Sequence, residues 1–134
     1  SNAYGGNAKM VRSIVSIIVA TLLTVACGAY ENLYLKQTFS DLTEVFSTVE
    51  DKINAESVSE TDVTAAQTAW LNKKKSLHVF IPHTEIKEVD LWVSECLFYA
   101  RAGNYEEAGD KVEVVLELFE QIPKTFLIRI ENLF

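Results

Sequence analysis

The chain has 134 residues, enough for one domain of ordinary size, with 19 acidic and 12 basic residues and a net charge of −7. Lys9 and Arg12 are the only charged residues before residue 31, so the acidic excess lies in residues 31–134. Because these residues would repel a phosphate backbone, we expect no nucleic-acid partner. Cys27 and Cys96 belong to no CxxC or Cys/His cluster, so we expect no structural disulfide, no metal site and no cofactor.

The first nine residues are left outside the fold assignment. Ser1-Asn2-Ala3 is typical of the remnant that stays after an expression tag is removed, and the residues that follow are either linker or natural upstream sequence. Met10 is a candidate natural start, which the sequence leaves open. We assign residues 1–9 to this remnant with linker or upstream residues, residues 10–30 to a transmembrane anchor, and residues 31–134 to an extracytoplasmic helical bundle.

Residues 13–30 form an uncharged and mostly apolar segment. Its 18 residues are the lower limit for crossing the roughly 30 Å hydrocarbon core of a bilayer. Lys9 and Arg12 precede the segment and Glu31 follows it. The excess of basic residues on the cytoplasmic side of membrane proteins therefore predicts a single-pass protein of the cell membrane, with the N-terminus in the cytoplasm and the later residues outside.

Two alternatives compete with an uncleaved anchor. Thr24-Val25-Ala26-Cys27 has the small residue before cysteine that a lipoprotein signal needs, although Thr24 replaces the usual leucine and no polar tether follows Cys27. The other alternative is that residues 13–30 are a buried helix of a soluble domain.

The first helix of the bundle is predicted from an apolar stripe that recurs at steps of four and three residues. Because no proline interrupts residues 10–56, the anchor and this helix are expected to form one continuous rod that ends near Asn54. Ser57-Val58-Ser59-Glu60 has the spacing of a capping box for the next helix, with Ser59 or Thr61 as alternative caps. The stripe consists of Leu35, Phe39, Leu42, Phe46, Val49 and Ile53.

Both histidines lie where the second helix gives way to the third. Pro82 predicts that the second helix ends around residues 79–81, and Thr84 is the predicted cap of the third helix. The separation of His78 and His83 across a proline does not match a helical metal pair, so neither is assigned to metal binding or acid–base chemistry. The predicted inward positions are Val63, Ala66, Trp70, Leu77 and Phe80 in the second helix and Ile86, Val89, Val93, Cys96 and Ala100 in the third.

The last part of the chain predicts a fourth helix and a short terminal one. Gly103 is placed to stop the third helix, Asn104 to start the fourth, and Pro123 to end it. The fourth helix would bury Ala108, Val112, Val115, Phe119 and Ile122, and the apolar tail would dock on the bundle through Phe126, Leu127, Ile130, Leu133 and Phe134. The predicted class is all-α: an anchor helix that continues into an antiparallel bundle of about four helices, plus a short C-terminal helix.

Several motifs together resemble a known family. They are YENLYLKQTF after the short anchor, the pattern W–x–x–KKK–x–L–x–x–FIPHTEI–x–x–VD, an AGNYEEA turn, and FEQIP before a short apolar end. From about Val11 to Phe134 the chain resembles domain of unknown function 4363, small single-pass membrane-anchored helical proteins of spore-forming Gram-positive bacteria. The resemblance implies the helical topology and the placement of the bundle on the extracytoplasmic side of the membrane. It brings no established activity and no functional residues.

These observations favour a protein-interaction module at the cell envelope, whose partner the sequence does not identify. Trp92 or Tyr99 would supply part of the contact. The alternative is an envelope lipoprotein that binds a small apolar ligand between its helices. We expect no enzyme and no catalytic residue, since no set of nucleophile, base and orienting group is visible. We also expect self-association through residues 11–30, with small side chains at the contact, namely Ser16, Ala26 and Gly28.

Overall fold

Four helices make up the described part of the chain: α1 (Asn2–Asn54), α2 (Glu60–Leu77), α3 (His83–Arg101) and α4 (Tyr105–Leu133). The structure is a computed structural model that describes residues 2–133, and the side chains of residues 4–129, 131 and 132. No strand occurs between residues 2 and 133. The predicted all-α class is therefore confirmed.

Helix α1 is the predicted continuous rod. Its 53 residues span about 80 Å at 1.5 Å per residue. Its apolar N-terminal part is long and apolar enough to cross a membrane, and none of that window is buried. The alternative of a helix buried inside the domain is therefore wrong. The later half buries all six residues of the predicted stripe: Leu35, Phe39, Leu42, Phe46, Val49 and Ile53.

The helices pack as an antiparallel bundle in which α1 contacts α2 and α4, and α3 contacts the same two helices. At the end far from the apolar segment, Ile53 approaches Gly109 near the start of α4. Lys73 of α2 pairs with Asp41 of α1 at 3.5 Å. Since α4 runs antiparallel to α1, its C-terminal end returns to the level at which the apolar segment leaves the bundle. That end is called proximal below, and the opposite end distal.

The core lies among the inward faces of the four helices, and its centre is aromatic. The Phe119 ring lies 5.8 Å from Phe39, 5.3 Å from Phe46 and 6.2 Å from Trp70, measured between ring centroids. Every predicted inward residue of the helices up to residue 122 is buried except Phe80. Because α2 ends at Leu77, slightly before the predicted residues 79–81, Phe80 lies half-buried in the turn that follows. Three further buried residues were not predicted: Thr38, Ile81 and Leu97.

Side-chain hydrogen bonds fix the start of α2. Ser59 is the N-cap, so the correct prediction is Ser59 and not Ser57 or Thr61. The Ser59 hydroxyl accepts a hydrogen bond from the Asp62 amide, and the Asp62 carboxylate accepts one from the Ser59 amide at 2.9 Å. Asp62 also pairs with Lys52 of α1. The Lys52 hydrogen bond, with those from Ser59, lowers the pKa of Asp62 to about 2. These contacts fix where the chain turns from α1 into α2.

The start of α3 differs from the prediction. Pro82 occupies the N-cap position without a side-chain hydrogen bond, so Thr84 is not the cap. The proline carbonyl instead accepts from the amides of Glu85 and Ile86. The preceding turn is closed by the Leu77 carbonyl, which accepts from residues 80 and 81. Pro82 can hold the helix start because its fixed φ and extended ψ already direct the chain into the first turn.

The prediction that Pro123 ends the fourth helix is wrong, because α4 continues through it to Leu133 without a separate terminal helix. Proline removes one helical hydrogen bond, but packing on both sides offsets that loss. Ile122 is buried before it, and Phe126 packs against the core after it. Lys124 also pairs with Glu120 across the proline at 3.0 Å. Of the predicted tail contacts, those of Ile130, Leu133 and Phe134 lie outside the described side chains.

Two left-handed residues that end helices allow a stability prediction. Glu56 follows α1 with φ 52°, and Gly103 follows α3 with φ 73°. Left-handed backbone costs a residue with a Cβ atom roughly 1 kcal/mol more than glycine. We expect Glu56→Gly to stabilise the bundle by about 0.5–1 kcal/mol, and Gly103→Ala to destabilise it by about 1 kcal/mol. Urea unfolding monitored by circular dichroism measures both. A loss of stability in the Glu56 variant would contradict the prediction.

Candidate interaction groove between α1 and α4

A groove with a volume of about 700 Å³ lies between α1 and α4. Its floor is apolar and is formed by Phe39 from α1 and by residues of α4, namely Leu116, Phe119, Pro123 and Leu127. Phe39 and Phe119 belong to the buried core, whereas Leu116 and Leu127 are partly exposed. The groove therefore exposes apolar surface that continues into the core.

The sequence of α1 explains why the groove exists. Beside the buried stripe, a second stripe follows the same steps of four and three, and most of its side chains are small and polar. Small residues leave space between two helices where larger ones would close it. The second stripe consists of Lys36, Ser40, Thr43, Ser47 and Glu50, all of which line the groove.

Charged side chains of opposite sign stand at the two ends of the groove. Glu50 and Glu113 line the distal end, and Glu117 follows one turn along α4. Lys36 and Lys124 line the proximal end. The groove thus has an acidic end, an apolar centre and an end with two lysines, of which Lys124 pairs with Glu120.

The electrostatic environment of Glu50 reflects this arrangement. Its partial burial raises its pKa, and the negative charges of Glu113 and Asp51 raise it further. Burial and like charges both disfavour the ionised form, so a cation placed beside these carboxylates would relieve the repulsion. The distal end is therefore suited to a positively charged group.

The dimensions of the groove match a helix. It follows α1 from Lys36 to Glu50 and α4 from Glu113 to Leu127, which is about 21 Å along each helix axis at 1.5 Å per residue. A segment of about four helical turns would cover this length. An apolar stripe on such a segment would meet the floor, as in other complexes in which a helix lies in a groove.

A comparison with protein families identifies the bundle. The model for a domain of unknown function, DUF4363, matches residues 29–133. The chain belongs to the DUF4363 family. The match begins near the end of the apolar segment and includes all of α2, α3 and α4, so the DUF4363 domain coincides with the folded bundle. Comparisons with curated proteins and with solved structures give no match.

The DUF4363 bundle brings its two histidines together, although their spacing across Pro82 does not predict it. The rings of His78 and His83 lie 5.8 Å apart between centroids, and both side chains are exposed. The turn around Pro82 folds the start of α3 back beside the end of α2. Among the described residues, no group of three or more His, Cys, Asp or Glu side chains is placed to hold a metal ion.

The aromatic residues predicted to make the contact do not line the groove. Trp92 is half-buried on α3, with the Lys111 ammonium 5.1 Å from its ring centroid. Tyr99 is half-buried and packs against the core. Cys96 is buried, and its burial raises its pKa to about 12, which identifies it as a core residue. The sequence signal for the groove was instead the second, polar stripe of α1.

A partly buried network links α2 and α3 on the opposite side of the bundle. Asp90 accepts from the Trp70 indole at 2.7 Å and from Lys74. Burial acts to raise the pKa of Asp90, but these two hydrogen bonds hold it below its ordinary value. The KKK sequence therefore divides by role: Lys73 and Lys74 pair with carboxylates of neighbouring helices, and Lys75 is exposed.

Proposed function

We propose that this DUF4363 protein is a membrane-anchored interaction module of the cell envelope. Its bundle stands on the extracytoplasmic side and binds a helix of a partner protein in the α1–α4 groove. The observation that carries the proposal is the groove itself, in which apolar side chains beside the core are left uncovered by the bundle. Exposed apolar surface in a concave site is typical of binding surfaces.

The membrane side of the proposal rests on α1. One continuous helix carries the apolar segment and the first stripe of the bundle, so the bundle stands directly at the membrane if the segment spans it. Lys9 and Arg12 precede the segment, which favours a cytoplasmic N-terminus. The small side chains of Ser16, Ala26 and Gly28 support a further proposal that copies of the chain associate through residues 11–30.

The chemistry of the partner follows from the groove. We propose a helix of about four turns with an apolar stripe and with basic residues at the end that meets Glu50 and Glu113. Opposite charges at the two ends would fix the direction of the helix, since the reversed orientation would place its basic end beside Lys36 and Lys124.

A binding role is proposed in preference to a catalytic one. The polar side chains that line the groove carry hydroxyl, carboxylate and ammonium groups, with no histidine or cysteine among them. The alternative of an envelope lipoprotein that binds a small apolar ligand draws on the same apolar floor. However, the groove is open along its length, whereas small-molecule sites enclose most of their ligand.

Crosslinking from native membranes tests the partner. A photoreactive amino acid at Thr43, in the middle of the groove, is expected to give one defined protein adduct whose crosslinked peptide is helical, apolar on one side and basic at one end. The double variant Glu50→Gln with Glu113→Gln should lower the adduct yield about three- to tenfold, because it removes two charge contacts at the rim. An adduct with twice the mass of the chain would identify a second copy as the occupant.

The matched control changes the same number of charges outside the groove. Glu44 and Glu88 are exposed and do not line it, so Glu44→Gln with Glu88→Gln should leave the yield unchanged. An equal loss in both double variants would mean that net charge, and not the groove, controls the contact. An adduct with a small molecule alone would support the ligand alternative.

A further inference from the structure

Three parts of the bundle meet at the level where the apolar segment leaves it: α1 at Glu31, the turn between α2 and α3, and the C-terminal part of α4. A shallow pocket of about 490 Å³ is lined by Glu31 of α1, by residues 79–82 of the turn between α2 and α3, and by Phe126 and Arg129 of α4. We call this proximal end the base. Since residues 13–30 directly precede Glu31, the base faces the membrane in the proposed topology.

Aromatic contacts tie the α2–α3 turn to the end of the apolar segment. The rings of Tyr30 and Tyr34 lie 6.4 Å apart on α1, and the Tyr34 ring lies 5.4 Å from Phe80 in the turn. Tyrosine is enriched where membrane proteins cross the boundary between lipid and water. The turn is therefore held at the height expected for that boundary.

The turn presents an apolar side chain that the bundle does not cover. Val79 is 78% exposed, compared with 67% for Leu33 on α1 and 56% for Ile128 on α4, which are also at the base. Single exposed apolar residues are common on protein surfaces. Here, three of them lie on three different elements at one end of the bundle, beside the segment that enters the lipid.

Charge is distributed unequally along the bundle. The proximal half, residues 31–42, 71–90 and 121–134, carries seven basic and six acidic residues. The distal half, residues 43–70 and 91–120, carries three basic and thirteen acidic residues. An anionic lipid surface would therefore repel the distal half and not the base.

Exposed cationic side chains stand beside the turn. Lys75 lies in the last turn of α2, and Lys87 follows in the first turns of α3. Lysine near a membrane surface places its ammonium among lipid phosphates while its stem lies along apolar groups. In the chain, the exposed Val79 thus lies between two exposed lysines, a pattern suited to an anionic lipid surface.

We propose that the α2–α3 turn is a second membrane contact of this protein. Val79 enters the interfacial layer of an anionic bilayer, and Lys75 and Lys87 bind lipid phosphate groups. The proposal rests on the proposed anchoring of α1. The contact makes the membrane attachment two-point, so that the bundle stands at a fixed angle and the groove keeps a fixed height above the lipid.

Fluorescence quenching by labelled lipids tests the contact in the full-length chain. On a Cys27→Ser background, an environment-sensitive fluorophore is attached at Val79→Cys, and the protein is reconstituted into phosphatidylcholine vesicles containing about one third phosphatidylglycerol. Cys96 is buried with a pKa raised to about 12, so it does not compete for the label. Headgroup-region quenchers carried on the lipids are expected to quench the fluorophore strongly.

The matched control places the label at Phe98→Cys. Phe98 is also apolar and 65% exposed, but it lies in the distal half on α3, so its fluorophore should show almost complete loss of this quenching. Equal quenching at the two positions, with the protein still resistant to alkaline extraction, would overturn the second contact alone. Extraction of the protein by alkali would instead show that the anchoring itself is wrong.

The lysines provide a second measurement, made with the same label at residue 79. Lys75→Gln with Lys87→Gln should reduce the quenching at residue 79 in anionic vesicles to the level found in pure phosphatidylcholine, since each lysine near the surface strengthens binding about fivefold. No difference between the two vesicle compositions would show that Lys75 and Lys87 do not recognise anionic lipid. No difference between the double variant and its parent would show that these two side chains do not contribute to the contact.

Discussion

Replacement of Phe119 by alanine is expected to destabilise the bundle by about 3–5 kcal/mol, a large part of the stability of an ordinary domain. Phe119 is 1% exposed, and its ring contacts Phe39, Phe46 and Trp70, which lie on α1 and α2. Truncation would leave a cavity where three helices meet. Urea unfolding of the detergent-solubilised protein, followed by near-ultraviolet circular dichroism of the tryptophans, measures the loss.

Phe98→Ala is the matched control, because it makes the same chemical change at a phenylalanine that is 65% exposed. The expected cost there is within about 0.5 kcal/mol. A small loss in the Phe119 variant, or equal losses in the two variants, would contradict the assignment of Phe119 to the centre of the core. Phe119 also forms part of the groove floor, so its variant is unsuitable for testing binding.

Leu22→Arg is expected to remove most of the protein from the membrane. Leu22 lies near the middle of residues 13–30, where an arginine raises the free energy of insertion by about 2.5–3.5 kcal/mol. For a segment at the lower limit of length, this penalty corresponds to a fall of about 100-fold in the ratio of inserted to uninserted chain. Alkaline extraction of cell membranes, followed by quantification of the pellet and the supernatant, measures that ratio.

Leu71→Arg is the matched control for insertion. Leu71 is exposed on α2, so an arginine there should leave the protein in the membrane fraction. Equal behaviour of the two variants would contradict an anchor at residues 13–30. A native protein that begins at Cys27 with a diacylglyceryl group, detected by intact mass, would instead establish the lipoprotein alternative.

The alternation of apolar and polar residues determined most of this fold. Steps of four and three residues placed Leu35 to Ile53 on one face of α1 and Ala108 to Ile122 on one face of α4, and both sets are buried. Such periodicity is reliable because a helix can bury only one face against its neighbours. The end of α1 at Asn54 and the end of α3 before Gly103 could also be predicted from the sequence, since each depends on local backbone chemistry.

The tertiary structure decided those features that depend on which helices become neighbours. Pro123 by itself predicts the end of a helix, but α4 continues through it because Ile122 before it and Phe126 after it pack against the core. The polar stripe from Lys36 to Glu50 reads as a solvated face. It becomes the wall of a groove only because α4 lies alongside with Leu116 and Leu127. Local spacing specifies each helix, whereas a surface shared by two helices exists only after residues distant in the chain have packed together.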